Sequence, residues 1–362
     1  MDVTTEAVRH HWVMKNIPAF RSEDFISSPE NYLDKLEFQL AQVYNGEDIH
    51  NLSNNWKTLT ENLLEDDHFG LAINQEGGAF LFDDAKNITR NDKAQKDQAR
   101  SIYNYIKNNF ESVGDYDIKI RNTLMSVYSK KKGSDAELNL LLIAMLRQKG
   151  IRADPVILGT RNMGPNPSAY PVLNKINHVI CAAWIAGDTL FLDASSENAS
   201  FDRLPIECYN GHARIISPTD SCSVYFYTDA IKEREMTTVF ISNAPDKKLS
   251  GTFEQIPGLY ASDEVREKVK KTGIKKYFDF AKISFGSDGE VKNPEIDSLK
   301  TQDFPVRIYY EFTTNSGDNS GLFYFNPFVN DMYNQNPFKE EIRKYPVELR
   351  YPLDEMYVLN ME

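Results

Sequence analysis

The stretch that decides the fold spans residues 133–150 and reads Gly133-Ser134-Asp135-Ala136-Glu137-Leu138-Asn139-Leu140-Leu141-Leu142-Ile143-Ala144-Met145-Leu146-Arg147-Gln148-Lys149-Gly150. Ser134, followed three residues later by Glu137, is a capping box and predicts that Ser134 is the N-cap of a helix. Asp135 is then the first helical residue, where the helix dipole favours a negative charge. The residues that follow are apolar on nearly all sides, which indicates a buried helix. Gly150 stands where a left-handed C-terminal cap is expected.

Beyond this helix the sequence predicts a buried strand and then a hairpin. Val156-Ile157-Leu158 is a short apolar run typical of a buried strand. Two further apolar runs flank Ala186-Gly187-Asp188, which is a hairpin signature. His178 falls on the first strand of the hairpin and Asp193 at the end of the second. This order is the layout of papain-like thiol enzymes, in which a cysteine at a helix N-terminus is the nucleophile, a histidine takes its proton and an acid orients the histidine.

Length and composition exclude several classes of protein. A chain of 362 residues is long enough for two or three domains and a sizeable core. Apolar residues make up 41% and charged residues 26%, which is typical of a globular protein. The net charge of −12 argues against a broad nucleic-acid-binding surface. Three cysteines do not form a disulfide framework, and because no apolar run reaches 18 residues we predict no membrane span.

The motifs taken together resemble the transglutaminase-like superfamily, in the branch common in Bacteroidetes, where this domain lies between two domains of unknown function. The pieces that carry the resemblance are residues 133–139, 146–150, 153–161, 177–180, 192–194 and 204–205. Residues 336–339 and 343–347 resemble the C-terminal β domain of these proteins. The resemblance implies a truncated member that lacks its first β domain. Because such proteins are usually exported, we expect a periplasmic or cell-envelope location, although the first residues of the chain hold no signal region.

The predicted fold class is α+β, with a papain-like transglutaminase-like core and a β-rich C-terminal domain. We expect an N-terminal extension at residues 1–90, formed by the end of a missing β domain plus helices. The transglutaminase-like domain is expected at 91–220 and the β-rich domain at 221–362. Within the last, residues 254–280 are the only segment for which we expect helix.

The resemblance implies which residues form the site. His178 would be the catalytic histidine and Asp193 its orienting acid, while the cysteine position of the family falls on Asp135. A carboxylate is a poor replacement for a thiolate in acyl transfer, because the anhydride it forms hydrolyses without conserving the acyl group. The sequence therefore predicts a degenerate triad and a catalytically inactive domain that binds a peptide or another polymer of the cell envelope. The alternative is a hydrolase or acyltransferase of the cysteine-protease or transglutaminase type with a non-standard nucleophile.

None of the three cysteines is expected to replace the missing nucleophile. Cys181 lies three residues after His178, and an odd spacing along a strand places two side chains on opposite faces. Cys208 lies in a proline-containing segment past the hairpin, and Cys222 lies at the predicted domain junction. We expect all three to be small core or surface residues.

The sequence leaves the register of the hairpin open. A tight turn centred on residues 187–188 would leave His178 about 13 Å along the strand from the partner of Asp193. A wider loop centred on residues 185–186 would place His178 opposite Asp193. The sequence does not fix this register, and an inherited pair without a function and a working site both remain open.

Metal binding and a purely structural role are the remaining interpretations. Asp135, His178 and Asp193 are residue types that bind zinc. One acid at a helix start and a pair on a hairpin are too scattered to form a metal motif, so we predict no metal and no cofactor. A cleft filled by side chains would indicate a structural module without a ligand.

Overall fold

The computed structural model describes residues 9–40, 42–45, 48–51, 55–219, 221–244, 248–283, 290–315, 336–338 and 341–362. Lys339, part of one C-terminal motif, lies outside these ranges. The helices of the described residues are α1 (Trp56–Leu64), α2 (Phe82–Ile88), α3 (Gln95–Asn109), α4 (Leu124–Lys130), α5 (Asp135–Gln148), α6 (Leu259–Thr272) and α7 (Ile274–Ile283). None of these helices is both long and apolar enough to cross a membrane.

The strands form two five-stranded sheets and two short pairs. The strands up to residue 226 are β1 (Gln42–Asn45), β2 (Asp48–Asn51), β3 (Glu111–Ser112), β4 (Lys132–Gly133), β5 (Ala153–Leu158), β6 (His178–Ile185), β7 (Asp188–Leu192), β8 (Gly211–Ile215) and β9 (Ser223–Phe226). The later strands are β10 (Glu233–Ala244), β11 (Lys248–Ile256), β12 (Glu290–Asp297), β13 (Arg307–Asn315) and β14 (Leu353–Met361). Helices and sheets are thus mixed, and the C-terminal region is rich in strands, which confirms the predicted α+β class.

Helix α5 is built by the local signals that the sequence contains. The Ser134 Oγ accepts a hydrogen bond from the Glu137 N–H at 3.2 Å, and the Glu137 Oε2 accepts one from the Ser134 N–H at 2.8 Å. The predicted capping box is therefore confirmed, and Asp135 is the first residue of the helix. Gly150 has a φ of 78°, a conformation that glycine adopts without strain, as expected for the residue beyond the helix end.

The first five-stranded sheet packs against α5 and has the order β7-β6-β5-β8-β9. All of its pairs are antiparallel. Helices α1 to α5 share one hydrophobic core with the sheet face that carries Val179, Cys181 and Ala183. The opposite face carries Ile180 and Ala182 and belongs to a second apolar cluster. This separation confirms that Cys181 and the even-numbered His178 lie on opposite faces of β6.

The β6–β7 hairpin has a register between the two that the sequence allowed. Ile185 pairs with Asp188 across a two-residue turn at Ala186 and Gly187, whose φ angles are 55° and 92°. Two successive positive φ angles are typical of the tight hairpin turn that follows the strand twist. Since Cys181 pairs with Leu192, the next step along the hairpin brings Asp193 opposite residue 180, two residues from His178 on the same face.

The second five-stranded sheet has the order β12-β13-β11-β10-β14 and is covered by α6 and α7. Only the β10–β14 pair is parallel among its described pairs. The helix expected at residues 254–280 is wrong at its start, because residues 254–256 belong to β11 and α6 begins only after Pro257-Gly258. Tyr260 of α6 donates a hydrogen bond from its hydroxyl to the Leu204 carbonyl at 2.8 Å, which ties this region to the segment that follows the hairpin.

Candidate functional site

His178 and Asp193 form a buried hydrogen-bonded pair at the start of β6 and just beyond the end of β7. The His178 Nε2 lies 2.8 Å from the Asp193 Oδ2, and the two side chains are 2% and 1% exposed. The other carboxylate oxygen, Oδ1, accepts hydrogen bonds from the Asn139 amide at 2.8 Å and from the Ser195 hydroxyl at 2.6 Å. Burial raises the pKa of Asp193, but the His178 charge and these donors outweigh it and hold the pKa well below the usual range.

Asn139 connects this pair to α5, and the sequence analysis missed its role. Its amide also donates to the Val179 carbonyl at 2.9 Å, and its side-chain oxygen accepts from the Ala194 N–H at 2.8 Å. Asn139 is fully buried within an otherwise apolar stretch of helix. A lone amide among leucines is itself a signal, because a buried polar side chain requires hydrogen-bond partners.

The His178 imidazole is oriented by the hydrogen bond between its Nε2 and Asp193, which leaves its second nitrogen, Nδ1, outside that bond. Burial lowers the pKa of His178, but the Asp193 charge and hydrogen bond, with a contribution from Asp135, raise it above the usual value. The Nδ1 atom is buried and has no hydrogen-bond partner among the residues that the structure describes. The Tyr116 ring meets the imidazole edge-on with 5.3 Å between the ring centres. An imidazole held on one side by an acid is the arrangement that supports a general base.

Asp135 is the first residue of α5. Its Oδ1 accepts a short hydrogen bond from the hydroxyl of Ser112, which β3 holds beside β4. Burial raises the pKa of Asp135, the Ser112 hydrogen bond and the His178 charge lower it, and the net pKa is above the usual value. The cost of burying this charge leaves the carboxyl easier to protonate than an exposed aspartate.

Asp135, His178 and Asp193 all line one cavity of about 280 Å³. The other residues that line it are Ser112, Gly114, Tyr116, Thr160, Ser195, Ser196, Glu197, Pro205, Glu207 and Cys208. The lining carries four carboxylates and one histidine. The sequence-predicted residues therefore share a cavity with acidic walls.

Cys208 is the residue whose position the sequence did not reveal. Its Sγ, a ring nitrogen of His178 and a carboxylate oxygen of Asp193 lie within 4.8 Å of one another. Among the described residues, no other group of three acidic, histidine or cysteine side chains lies so close together. Asp135 is not a member of this group. Cys208 ends a short helical turn (Ile206–Cys208) after the hairpin, on the apolar cluster that covers the outer face of β6.

The three cysteines differ in environment. Burial raises the pKa of the Cys208 thiol well above its usual value, and the Asp193, Glu207 and Asp135 charges add to this effect. Burial likewise raises the pKa of Cys181, which lies in the core under α5. Cys222 is exposed. None of the three occupies the position at the start of α5.

Part of the chain matches one family model, and two solved structures are similar to it. Residues 84–193, which include Asp135, His178 and Asp193, match the sequence model of the transglutaminase-like superfamily. No curated protein matches the chain. A "putative protease" from Parabacteroides distasonis ATCC 8503 is similar in structure at 15% identity and a TM-score of 0.39, covering 71% of this chain and 51% of its own. A "putative cysteine protease" from Cytophaga hutchinsonii is similar at 17% identity and a TM-score of 0.26, covering 41% of this chain and 49% of its own. The chain spans about half the length of each.

Proposed function

We propose that the transglutaminase-like domain carried by residues 84–193 is catalytically degenerate and acts by binding a peptide or another polymer of the cell envelope. The observation that carries the proposal is the carboxylate of Asp135 at the start of α5, in one cavity with an oriented His178. Attack of a carboxylate on an amide carbonyl forms a tetrahedral adduct that expels the carboxylate again, because a carboxylate is a far better leaving group than an amine. Acyl transfer through Asp135 is therefore unproductive.

The dimensions and charge of the cavity support a binding role. A volume of about 280 Å³ suits one side chain or one sugar unit of a longer chain, since pockets for whole small molecules begin near 300 Å³. Glu197 and Glu207 stand in the lining with the acids of the site. A ligand group that is neutral or positively charged is favoured there, because a further carboxylate would meet the buried carboxylates of Asp135 and Asp193.

The test of binding uses two kinds of ligand. The first is a set of peptides that differ in one charge, and the second is a natural polymer of the cell envelope. Titration calorimetry with an uncharged alanine tetrapeptide, capped at both ends, is compared with versions that carry one lysine or one glutamate. Purified peptidoglycan sacculi are tested by co-sedimentation. We expect the lysine peptide to bind more tightly than the glutamate peptide, and Glu207→Gln to reduce this preference at least threefold.

Glu111→Gln serves as the matched control, since Glu111 is an exposed acid that pairs with Lys132 outside the cavity. It should leave the preference unchanged. If neither the peptides nor the sacculi bind, the binding role is wrong and a structural module remains.

A second candidate function is thiol catalysis through Cys208, favoured by its position within 4.8 Å of His178 and Asp193. Its buried, protonated thiol opposes this candidate, because the thiolate is the nucleophile. The discriminating measurement is hydrolysis of p-nitrophenyl acetate and of a peptide amide by the unmodified chain. Turnover that disappears in Cys208→Ser and persists in Cys222→Ser would replace the binding role with catalysis.

A further inference from the structure

We infer that Cys208, His178 and Asp193 form a binding site for a zinc ion at the bottom of the cavity. This inference goes beyond the proposed polymer binding and does not depend on it. It departs from the sequence analysis, which weighed Asp135 with the hairpin pair and predicted no metal. The residue that completes a metal site is Cys208, which comes from a different segment of the chain and adds a third ligand to His178 and Asp193.

The geometry is that of a site close to its metal-bound form. The three ligand atoms come from the start of β6, the residue after β7 and the turn that ends at Cys208. Their mutual distances are at most 4.8 Å. Zinc bonds of 2.0–2.3 Å in tetrahedral geometry place ligand atoms about 3.5 Å apart. A side-chain movement of about 1 Å therefore closes the site, without a change of fold.

The surroundings of the three residues are those of a prepared ligand set. All three side chains are buried, so the group is not a chance gathering of surface acids. Asn139 and Ser195 fix the Asp193 carboxylate by hydrogen bonds to Oδ1, as partners of metal ligands commonly do. A zinc ion bound by the His178 Nε2 and the Asp193 Oδ2, which lie 2.8 Å apart, would replace the hydrogen bond between them, and the imidazole proton would then stay on Nδ1.

The donor set selects zinc among the common divalent ions. A thiolate is a soft ligand that favours zinc, whereas magnesium and calcium prefer oxygen ligands alone. On binding, the Cys208 S–H bond gives its proton to solvent and a sulfur–zinc bond forms, with no change of oxidation state. Three protein ligands leave a fourth coordination position, which the cavity can fill with water or with an atom of a ligand.

The test measures metal content on the whole chain. The protein is stripped with EDTA, incubated with excess ZnCl₂, dialysed, and analysed by plasma mass spectrometry. We expect about one zinc per chain, a fall of at least tenfold in Cys208→Ser and in His178→Ala, and no change in Cys222→Ser, the matched control with an exposed cysteine. Circular dichroism verifies that each variant is folded. Equal zinc content in Cys208→Ser and the parent chain would overturn the inference, and so would less than a tenth of an equivalent in the parent.

A spectroscopic measurement covers the case in which a variant fails to fold. Cobalt(II) replaces zinc in such sites, and a thiolate ligand gives an intense near-ultraviolet charge-transfer band. We expect this band in the parent chain and in Cys222→Ser, and its absence in the parent would overturn the assignment of a sulfur ligand. The peptide and sacculus experiments are run on EDTA-treated protein, so the failure of either proposal leaves the other measurable.

Discussion

Replacing Glu137 by alanine should destabilise the chain by about 3–4 kcal/mol. The Glu137 side chain is 1% exposed and accepts four hydrogen bonds. Its Oε1 accepts from the Arg121 N–H at 3.0 Å and from the Asn122 N–H and side-chain amide at 2.7 and 3.1 Å. Its Oε2 accepts from the Ser134 N–H at 2.8 Å. At about 1 kcal/mol for each bond, the sum exceeds the usual cost of losing a helix cap.

The glutamine variant separates the charge from the shape. Glu137→Gln keeps an oxygen for the Oε1 donors but presents an NH₂ group to the Ser134 N–H, so we expect a loss of about 1–2 kcal/mol. Glu111→Ala is the control, because an exposed ion pair contributes less than about 1 kcal/mol. Urea unfolding followed by far-ultraviolet circular dichroism gives the free energies. A loss below about 1 kcal/mol for the alanine variant, or equal losses for alanine and glutamine, would refute the reasoning.

The same residue gives a pH dependence of known sign. Burial raises the pKa of Glu137, but the donors of Ser134, Asn122 and Arg121 lower it below its usual value. The unfolded chain therefore takes up this proton first as the pH falls. The stability that the carboxylate contributes is fully present above the unfolded pKa of about 4.3 and is lost as the pH falls through the folded value. We expect the stability gap between the parent and Glu137→Gln to shrink below that pH.

Two further predictions concern a lysine and the cysteines. Burial lowers the pKa of Lys107 to about 8, so Lys107→Met should stabilise the chain at neutral pH by up to ~3 kcal/mol. This gain in stability should shrink between about pH 8 and 10.4, because in that range the unfolded chain keeps the lysine proton and the folded chain has lost it. Urea unfolding at both ends of the pH range measures the change. In the native, EDTA-treated chain a thiol reagent should modify one cysteine, Cys222. It should reach Cys181 and Cys208 only after unfolding, because both are buried. Rapid modification of two or three thiols would contradict the burial of these two cysteines.

The elements that could be predicted from the sequence are those defined by adjacent residues. The Ser134–Glu137 capping box fixes the start of α5 because both partners lie within one helical turn. The β6–β7 hairpin is visible because the apolar runs flank a turn that contains Gly187. The register of the hairpin was not predictable, since Ala186 adopts a positive φ, a conformation that is uncommon for alanine and therefore not indicated by the residue type.

The composition of the site depends on contacts that no local pattern encodes. His178 and Asp193 were assigned from the resemblance, and the structure brings them within 2.8 Å. Cys208 joins them because the segment after the hairpin folds back over the outer face of β6, which is a tertiary contact. The misplaced start of α6 has a local cause, because Pro257-Gly258 separates it from β11. Apolar spacing alone did not reveal that boundary.

The central claim is that Asp135 occupies a nucleophile position whose surroundings are otherwise retained. The most direct test is the thiol pKa of Asp135→Cys, in a Cys222→Ser background treated with EDTA, from the pH dependence of iodoacetamide alkylation. Burial at this position raises the thiol pKa, as it does that of Asp135, whereas the helix N-terminus and the His178 charge lower it. In a retained site the two lowering effects should prevail and bring the thiol pKa to at least one unit below the ~8.5 of a free cysteine. Adding His178→Ala should remove most of that shift. A pKa at or above that of free cysteine, unchanged by His178→Ala, would contradict the account.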